Sequence, residues 1–200
     1  SINKLPPHYI LATAGGGGDG SQLMRQILAA CKLRRDNAIP IVMLLGPFMS
    51  SRDRAEITHI ARNLSNVSVL DFDNKIEAIM QKATAIVGMG GYNTFCEILS
   101  FDKRALLVPR KHPRREQLIR AQRAAEFGIL DMLDPDEAAD PWKMAAALEA
   151  VTKRKKPSKA GYRIDLDGLG RIGKIVARTL RRRDRDKHRV RLLRRELAHV

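Results

Sequence analysis

Two glycine-rich stretches carry the clearest ligand-binding chemistry in the chain: Gly15-Gly16-Gly17-Gly18-Asp19-Gly20 and Gly88-Met89-Gly90-Gly91-Tyr92-Asn93-Thr94-Phe95-Cys96-Glu97. Each follows a short apolar run and opens a segment of helical period. Glycines allow positive φ and let the backbone come close to a ligand, while the free N–H groups and dipole of the following helix attract phosphate. Gly16, Gly17, Gly18 and Gly20 therefore form one candidate phosphate cradle, and Gly90 and Gly91 with Thr94 a second. The plainer alternative for the first is a tight turn without a ligand. Thr94 offers a hydroxyl and an N–H, and Glu97, three residues on, shares its helical face. A carboxylate accepts two hydrogen bonds at once, which suits the vicinal hydroxyls of a ribose. Ordinary first-turn residues favoured by the helix dipole would read the same way.

Other matches are weaker. Gly15-x-Gly17-x-x-Gly20 fits a dinucleotide fingerprint in form, but that pattern wants an acid about twenty residues on, at the end of the second strand. Here the second strand ends Leu45-Gly46-Pro47. The string Gly168-Leu169-Gly170-Arg171-Ile172-Gly173 follows Asp165-Leu166-Asp167 and precedes only 27 residues, so no strand-helix-strand unit fits around it and it reads as structural. His112 stands in a loop after the fifth strand, where it either touches sugar or phosphate or is an inert exposed histidine. Arg110, Lys111, Arg114 and Arg115 surround it, either neutralising phosphate or simply solvated. Cys31 and Cys96 are far apart, which suggests neither a disulfide framework nor a zinc site.

The elements that would position these residues alternate as in a parallel α/β sheet. Buried strands are expected at Tyr9–Ala14, Ile39–Leu45, Val67–Leu70, Ala85–Val87 and Ala105–Val108, with a weaker edge strand at Ile129–Leu133. Helices are expected at about Ser21–Leu33, Ser51–Asn63, Asn74–Lys82, Tyr92–Ser100 and Pro113–Phe127, then Pro141–Val151. Ser50 with Asp53 resembles a capping box, and Asp140 before Pro141 places an N-cap ahead of a first-turn proline. Both glycine turns then lie at the carboxyl edge of one sheet, where open α/β sheets bind ligands. Residues 1–152 are expected to form this domain, 153–162 a basic linker, and 163–200 a closing helix, with Leu169, Ile172, Ile175, Val176 and Leu180 on one face, plus a basic tail.

Two hundred residues at 44% hydrophobic content suit one mid-sized domain with its own core. The net charge of +15 invites a nucleic-acid reading, but residues 151–200 hold 18 of the 37 Lys/Arg and 5 of the 22 Asp/Glu, so the first 150 residues carry only +2. The tail's only aromatic is Tyr162, which argues against nucleic acid as a partner, because stacking platforms are lacking. Val190, Leu193, Leu197 and Val200 recur at helical spacing among arginines, the pattern of a basic amphipathic helix drawn to anionic lipid; a solvated helix is the alternative. No apolar run approaches eighteen residues and no signal segment is evident, so a cytoplasmic location, possible at the inner face of the cytoplasmic membrane as a peripheral protein, is expected.

The run Ile86–Ile98, then Ala105-Leu106-Leu107-Val108-Pro109-Arg110, then Glu116-Gln117 and Ala121, resembles the C-terminal domain of glycosyltransferase family 28 over roughly Tyr9–Val151. The resemblance implies a Rossmann-like parallel sheet with helices on both faces, the donor domain of a GT-B fold. It implies that Glu97 binds ribose, Thr94 and the Gly90-Gly91 backbone bind phosphate, Phe72 and Asp73 meet the uracil edge, and Glu116 and Gln117 meet the sugar hydroxyls. It implies a UDP-sugar as donor, inverting transfer of a hexosyl or N-acetylhexosaminyl group, and no metal or other cofactor. No catalytic residue is expected on this chain, since acceptor binding and the base belong to an N-terminal acceptor domain or a separate acceptor subunit. Gly18 and Asp19 depart from the family pattern of Ser and Gln; a carboxylate beside a diphosphate is unfavourable unless it turns away or meets a cation. A related UDP-sugar epimerase, an NAD-binding Rossmann domain and a non-catalytic polyanion- or membrane-binding module are the competing readings.

Overall fold

The computed structural model describes residues 5–16, 18–35, 38–70, 76–162, 164, 166–168, 170–179 and 181. The chain divides into two units, Ser1–Arg163 and Ile164–Val200. In the first unit the elements run β1 (Ile10–Thr13), α1 (Ser21–Cys31), β2 (Ile41–Leu44), α2 (Ser51–Arg62), β3 (Val67–Leu70), α3 (Ile76–Lys82), β4 (Ala85–Gly88), α4 (Tyr92–Ser100), β5 (Arg104–Leu107), α5 (Glu116–Glu126), β6 (Asp131–Met132) and α6 (Pro141–Lys153). The six strands form one sheet in the order β3-β2-β1-β4-β5-β6, parallel throughout.

The central strands are buried on both faces, which is why they read as unbroken apolar runs rather than alternating ones. Alternate residues feed two cores. Ile10, Ala12, Met43 and Leu45 pack with Met24, Ile27, Ile57, Met144 and Leu148 on one face, against α1, α2 and α6. Leu11, Val42, Leu44 and Ile86 pack with Ile79, Phe95, Ile98 and Ala121 on the other, against α3, α4 and α5. The Tyr9 hydroxyl donates to the Ile79 carbonyl at 2.6 Å, and burial pushes its pKa up to about 12.

Both expected caps form. The Asp53 N–H donates to Ser50 Oγ at 3.1 Å, and the Trp142 N–H to Asp140 Oδ1 at 2.9 Å. Helix α5 starts at Glu116 rather than Pro113, with an acid in its first turn where the dipole favours it. The edge strand is reduced to Asp131 and Met132, paired with Leu106 and Leu107.

The stretch expected to be a basic linker is packed onto the unit instead. Pro157 is buried, Ser158 donates from both N–H and Oγ to the Asp102 carboxylate (2.7 and 2.8 Å), and Tyr162 stacks on Phe127 at 4.5 Å between ring centroids. Two of its charges have partners: Arg154 pairs with Asp131 at 2.6 Å and Lys156 with Asp102 at 4.0 Å. In the second unit, residues 168, 170–179 and 181 are helical, and Ile172, Ile175 and Val176 are exposed. Gly168, Gly170 and Gly173 are thus themselves helical, and among the described residues no strand precedes them in this unit. Leu169, Leu180 and the tail's apolar stripe lie outside the described residues. Among the described residues no helix is long and apolar enough to cross a membrane.

One long-range ion pair joins the end of α1 to α6. The Arg34 side chain is 1% exposed, and its Nε and Nη2 both donate to Glu149 Oε1, at 3.1 and 3.0 Å. Removing the acid strands a buried guanidinium. Glu149→Ala is expected to lower stability by about 1–3 kcal/mol, reduced from the cost of a fully buried pair because Glu149 is half-exposed. An unchanged urea midpoint would refute this.

Candidate functional site

The carboxyl ends of β1 and β4 lie side by side, Thr13 in register with Gly88, and from this point the chain winds outward in both directions. That topological switch point is where open α/β sheets leave a crevice. Both glycine turns open into it. Gly15 has φ +63° and Gly90 φ +75°, conformations that L side chains rarely adopt. A Cβ on Gly20 would lie 2.1 Å from the Ala14 Cβ, so the first turn folds back onto the strand end only because position 20 is glycine. Gly18 faces the Phe48 carbonyl, 3.1 Å from where its Cβ would stand. Gly17 lies outside the described residues.

Helices α1 and α4 start from these turns with Gly20 and Gly91 as N-caps, with no side-chain cap and no acid in the first turn. Their first N–H groups therefore keep unused donor capacity at the positive end of each dipole. Between them is a cleft of about 310 Å³ lined by Gly15, Gly16, Asp19, Gly90, Gly91, Thr94, Arg110 and Gln117, among others. Thr94 reaches across to the first turn, its Oγ1 3.5 Å from where a Gly15 Cβ would be. The structure thus gathers residues from both turns and from α5 around one space.

Arg110, at the end of the β5 loop, joins the walls. Its Nη1 donates to Asp19 Oδ2 at 2.5 Å and its Nη2 to Glu116 Oε1 at 3.1 Å, which holds the guanidinium more firmly protonated; the Glu116 carboxyl is held below the ordinary value by its own backbone N–H and then by Arg110. Asp19, the residue out of place beside a diphosphate, has met a cation. Gln117 is buried, and its Oε1 accepts the Arg110 N–H at 3.4 Å.

Arg120 was not singled out from the sequence. Its Nη1 donates to the Gly90 carbonyl at 2.7 Å while its guanidinium sits 5.6 Å from the Tyr92 ring centroid and 5.8 Å from that of Phe95. It fastens the second turn to α5. The available signal was its position three residues after Gln117, on the same helical face.

Other candidates are placed differently. Glu97 is not among the residues lining the cleft; it is half-buried one turn deeper on α4, and its carboxyl is raised above its ordinary value of 4.5 by burial and then by the charge of Glu77. Phe72 and Asp73 lie outside the described residues. His112 lines a second cleft of about 460 Å³ with Gln22, Gln26, Lys111 and Asp136, which shares Asp19, Met89 and Arg110 with the first. Lys111 pairs there with Asp134 (2.8 Å) and Asp136 (2.5 Å). Among the described residues no group of three or more His, Cys, Asp or Glu is arranged to hold a metal ion.

Comparison with known proteins agrees with this architecture. Residues 12–162 match the glycosyltransferase family 28 C-terminal domain, and the chain belongs to that family. Its fold is that of GT-B glycosyltransferases. Solved structures similar to it include the calicheamicin glycosyltransferase CalG4 (20% identity, TM-score 0.57, 74% of this chain and 35% of that one). The spinosyn rhamnosyltransferase SpnG is similar at 16% identity and TM-score 0.58, over 74% of this chain and 38% of that one. MurG of Acinetobacter baumannii is similar at 18% identity and TM-score 0.56, over 78% and 46%. The chain thus spans between a third and a half of the length of these structures. No curated protein sequence matches it.

Gly20 and Gly91 are both N-caps, so replacing either by Ala shares any capping cost, under about 1 kcal/mol. A Gly91 Cβ would meet nothing within 4 Å, whereas the Gly20 Cβ would collide with Ala14. Gly20→Ala is expected to destabilise by about 1–3 kcal/mol more than Gly91→Ala in denaturant titration. Equal losses would show that the close approach carries no weight.

Proposed function

We propose that this chain is the donor-binding part of an inverting glycosyltransferase, and that its cleft holds the diphosphate of a UDP-sugar. The observation that carries this reading is one 310 Å³ cleft at the switch point of the sheet, lined by residues of both glycine turns and by the uncapped start of α4. Family membership supports it. Two similar structures were solved with diphosphates, VinC with DTDP and the spinosyn rhamnosyltransferase with thymidine diphosphate, and one epimerase of this fold, from Neisseria meningitidis, with UDP-GlcNAc.

In this reading the backbone of Gly16, Gly17, Gly18, Gly20, Gly90 and Gly91 and the Thr94 hydroxyl bind phosphate, Glu97 binds ribose, Phe72 and Asp73 meet the base, and Glu116 and Gln117 meet the sugar, with His112 at its margin. An acceptor hydroxyl attacks the anomeric carbon from the side opposite the diphosphate, the C–O bond to phosphate breaks, and UDP leaves with the bonding electron pair. Backbone N–H groups and helix dipoles take the charge that develops on the leaving oxygen, with no metal. The base that receives the acceptor's proton and the acceptor site belong to a second domain or a partner subunit, and the basic tail draws the protein to an anionic membrane carrying the acceptor.

Calorimetric titration with UDP, UDP-N-acetylglucosamine, GDP and NADH tests the donor class. Uridine nucleotides are expected to bind and NADH not; failure of every uridine nucleotide at millimolar concentration defeats the reading. Glu97→Ala is expected to weaken UDP by about tenfold through loss of hydrogen bonds to a charged group. Glu97 also has a proton signature. Burial raises its folded pKa above 4.5, so its ionisation costs stability, a cost that sets in as pH rises through the unfolded pKa and is complete above the folded one. Ribose hydroxyls donating to the carboxylate favour the charged form, so UDP binding in mildly acidic buffer is expected to release protons. Binding heats in buffers of different ionisation enthalpy measure this, and a release that persists in Glu97→Gln would assign it elsewhere.

A further inference from the structure

Arg110 lines both clefts, and its bonding is lopsided. Two of its nitrogens go to carboxylates on different elements: Asp19, on the turn after β1, and Glu116, at the start of α5. The third, Nε, is buried with no hydrogen-bond partner. Buried donors ordinarily find acceptors, so this one has unused capacity where the two clefts meet. Among the described residues Asp19 is the only acid lining the first cleft, and it sits on the turn whose backbone N–H groups would otherwise face phosphate.

Taking the nucleotide reading above as its premise, we propose that Arg110 is a donor-operated latch: the diphosphate displaces Asp19 from the guanidinium, and Arg110 becomes the residue that selects nucleoside diphosphates over monophosphates. Glu116 keeps its hold through the exchange and fixes the guanidinium plane. A planar guanidinium suits the exchange, because carboxylate and phosphate both offer paired oxygens to its fork. The exchange also needs little motion, since Asp19 and the candidate phosphate cradle belong to one turn. A monophosphate lacks the outer phosphate and leaves the Asp19–Arg110 bridge closed. The side-chain pairing is exposed enough to break, with Arg110 and Asp19 side chains 30% and 42% accessible.

The test is calorimetric titration of the full chain with UDP, UMP and inorganic pyrophosphate, for the unaltered protein, Arg110→Ala and Asp19→Asn, with thermal unfolding of each alongside. Arg110→Ala is expected to weaken UDP and pyrophosphate by about tenfold or more and to change UMP by less than about twofold. Asp19→Asn is expected to act in the opposite direction, strengthening UDP and pyrophosphate several-fold, a result no misfolded variant would give. Unchanged UDP and pyrophosphate affinities in Arg110→Ala overturn the latch and leave the nucleotide reading standing. Parallel loss of UMP and UDP also overturns it, as does weakened UDP binding in Asp19→Asn. Pyrophosphate binding that depends on Arg110, in a protein that takes no uridine nucleotide, supports the latch and removes the uridine assignment. If no probe binds, both fall.

Discussion

Everything at this site depends on the pairing of β1 with β4. Parallel strands cannot be joined by a tight turn, so each is followed by a helix, and the two helices that follow neighbouring strands start beside each other only where the winding direction reverses. Thr13 opposite Gly88 is that place. A slip of one residue would turn Leu11 and Ile86 out of one core and into the other, so burial on both faces fixes the register. The strand register beneath the cleft is therefore held by the hydrophobic core.

The core also explains why glycine is needed at the turns. The chain leaves β1 and must begin α1 within a few residues, so Gly20 lies against Ala14 with no room for a Cβ. Gly91 meets no such obstacle. Its presence leaves the start of α4 bare toward the cleft. One glycine is required by packing and the other is compatible with a ligand; the sequence shows them as equivalent members of two similar strings.

What was legible in the sequence was local. The strand-turn-helix order, the Ser50 and Asp140 caps and the glycine turns each depend on residues a few positions apart, and propensity and capping chemistry act over that range. The pairs that close the site join distant positions, Asp19 to Arg110 and Arg120 to Gly90, and so does the pair of Arg34 with Glu149 away from it. Such contacts leave no periodic trace, because a surface arginine and a bridging arginine have the same neighbours in sequence. The segment 153–162 shows the same limit from the other side. Its charges and proline read as a linker, yet Arg154, Pro157, Ser158 and Tyr162 each find a partner on the body. Thr94 and Glu97 lie three residues apart on α4, but the burial of Glu97 and the charge of Glu77 near it come from helices α3 and α4 packing on one side of the sheet.

The electrostatics of the cleft decide how much the helices can do alone. Each helix N-terminus offers roughly half a positive charge, so two together approach one unit. A nucleoside diphosphate carries more negative charge than that, and Asp19 would add to it. The helix termini therefore orient a diphosphate without neutralising it. One guanidinium closes the gap, provided that it is free to turn from carboxylate to phosphate. Arg110 lines both clefts and is held by two acids from different elements, so its group with Asp19 and Glu116 is net negative before any ligand arrives. The departure at Asp19 is thus accommodated by a cation on another loop, and the same cation ties occupancy of the phosphate site to the position of the turn that carries it.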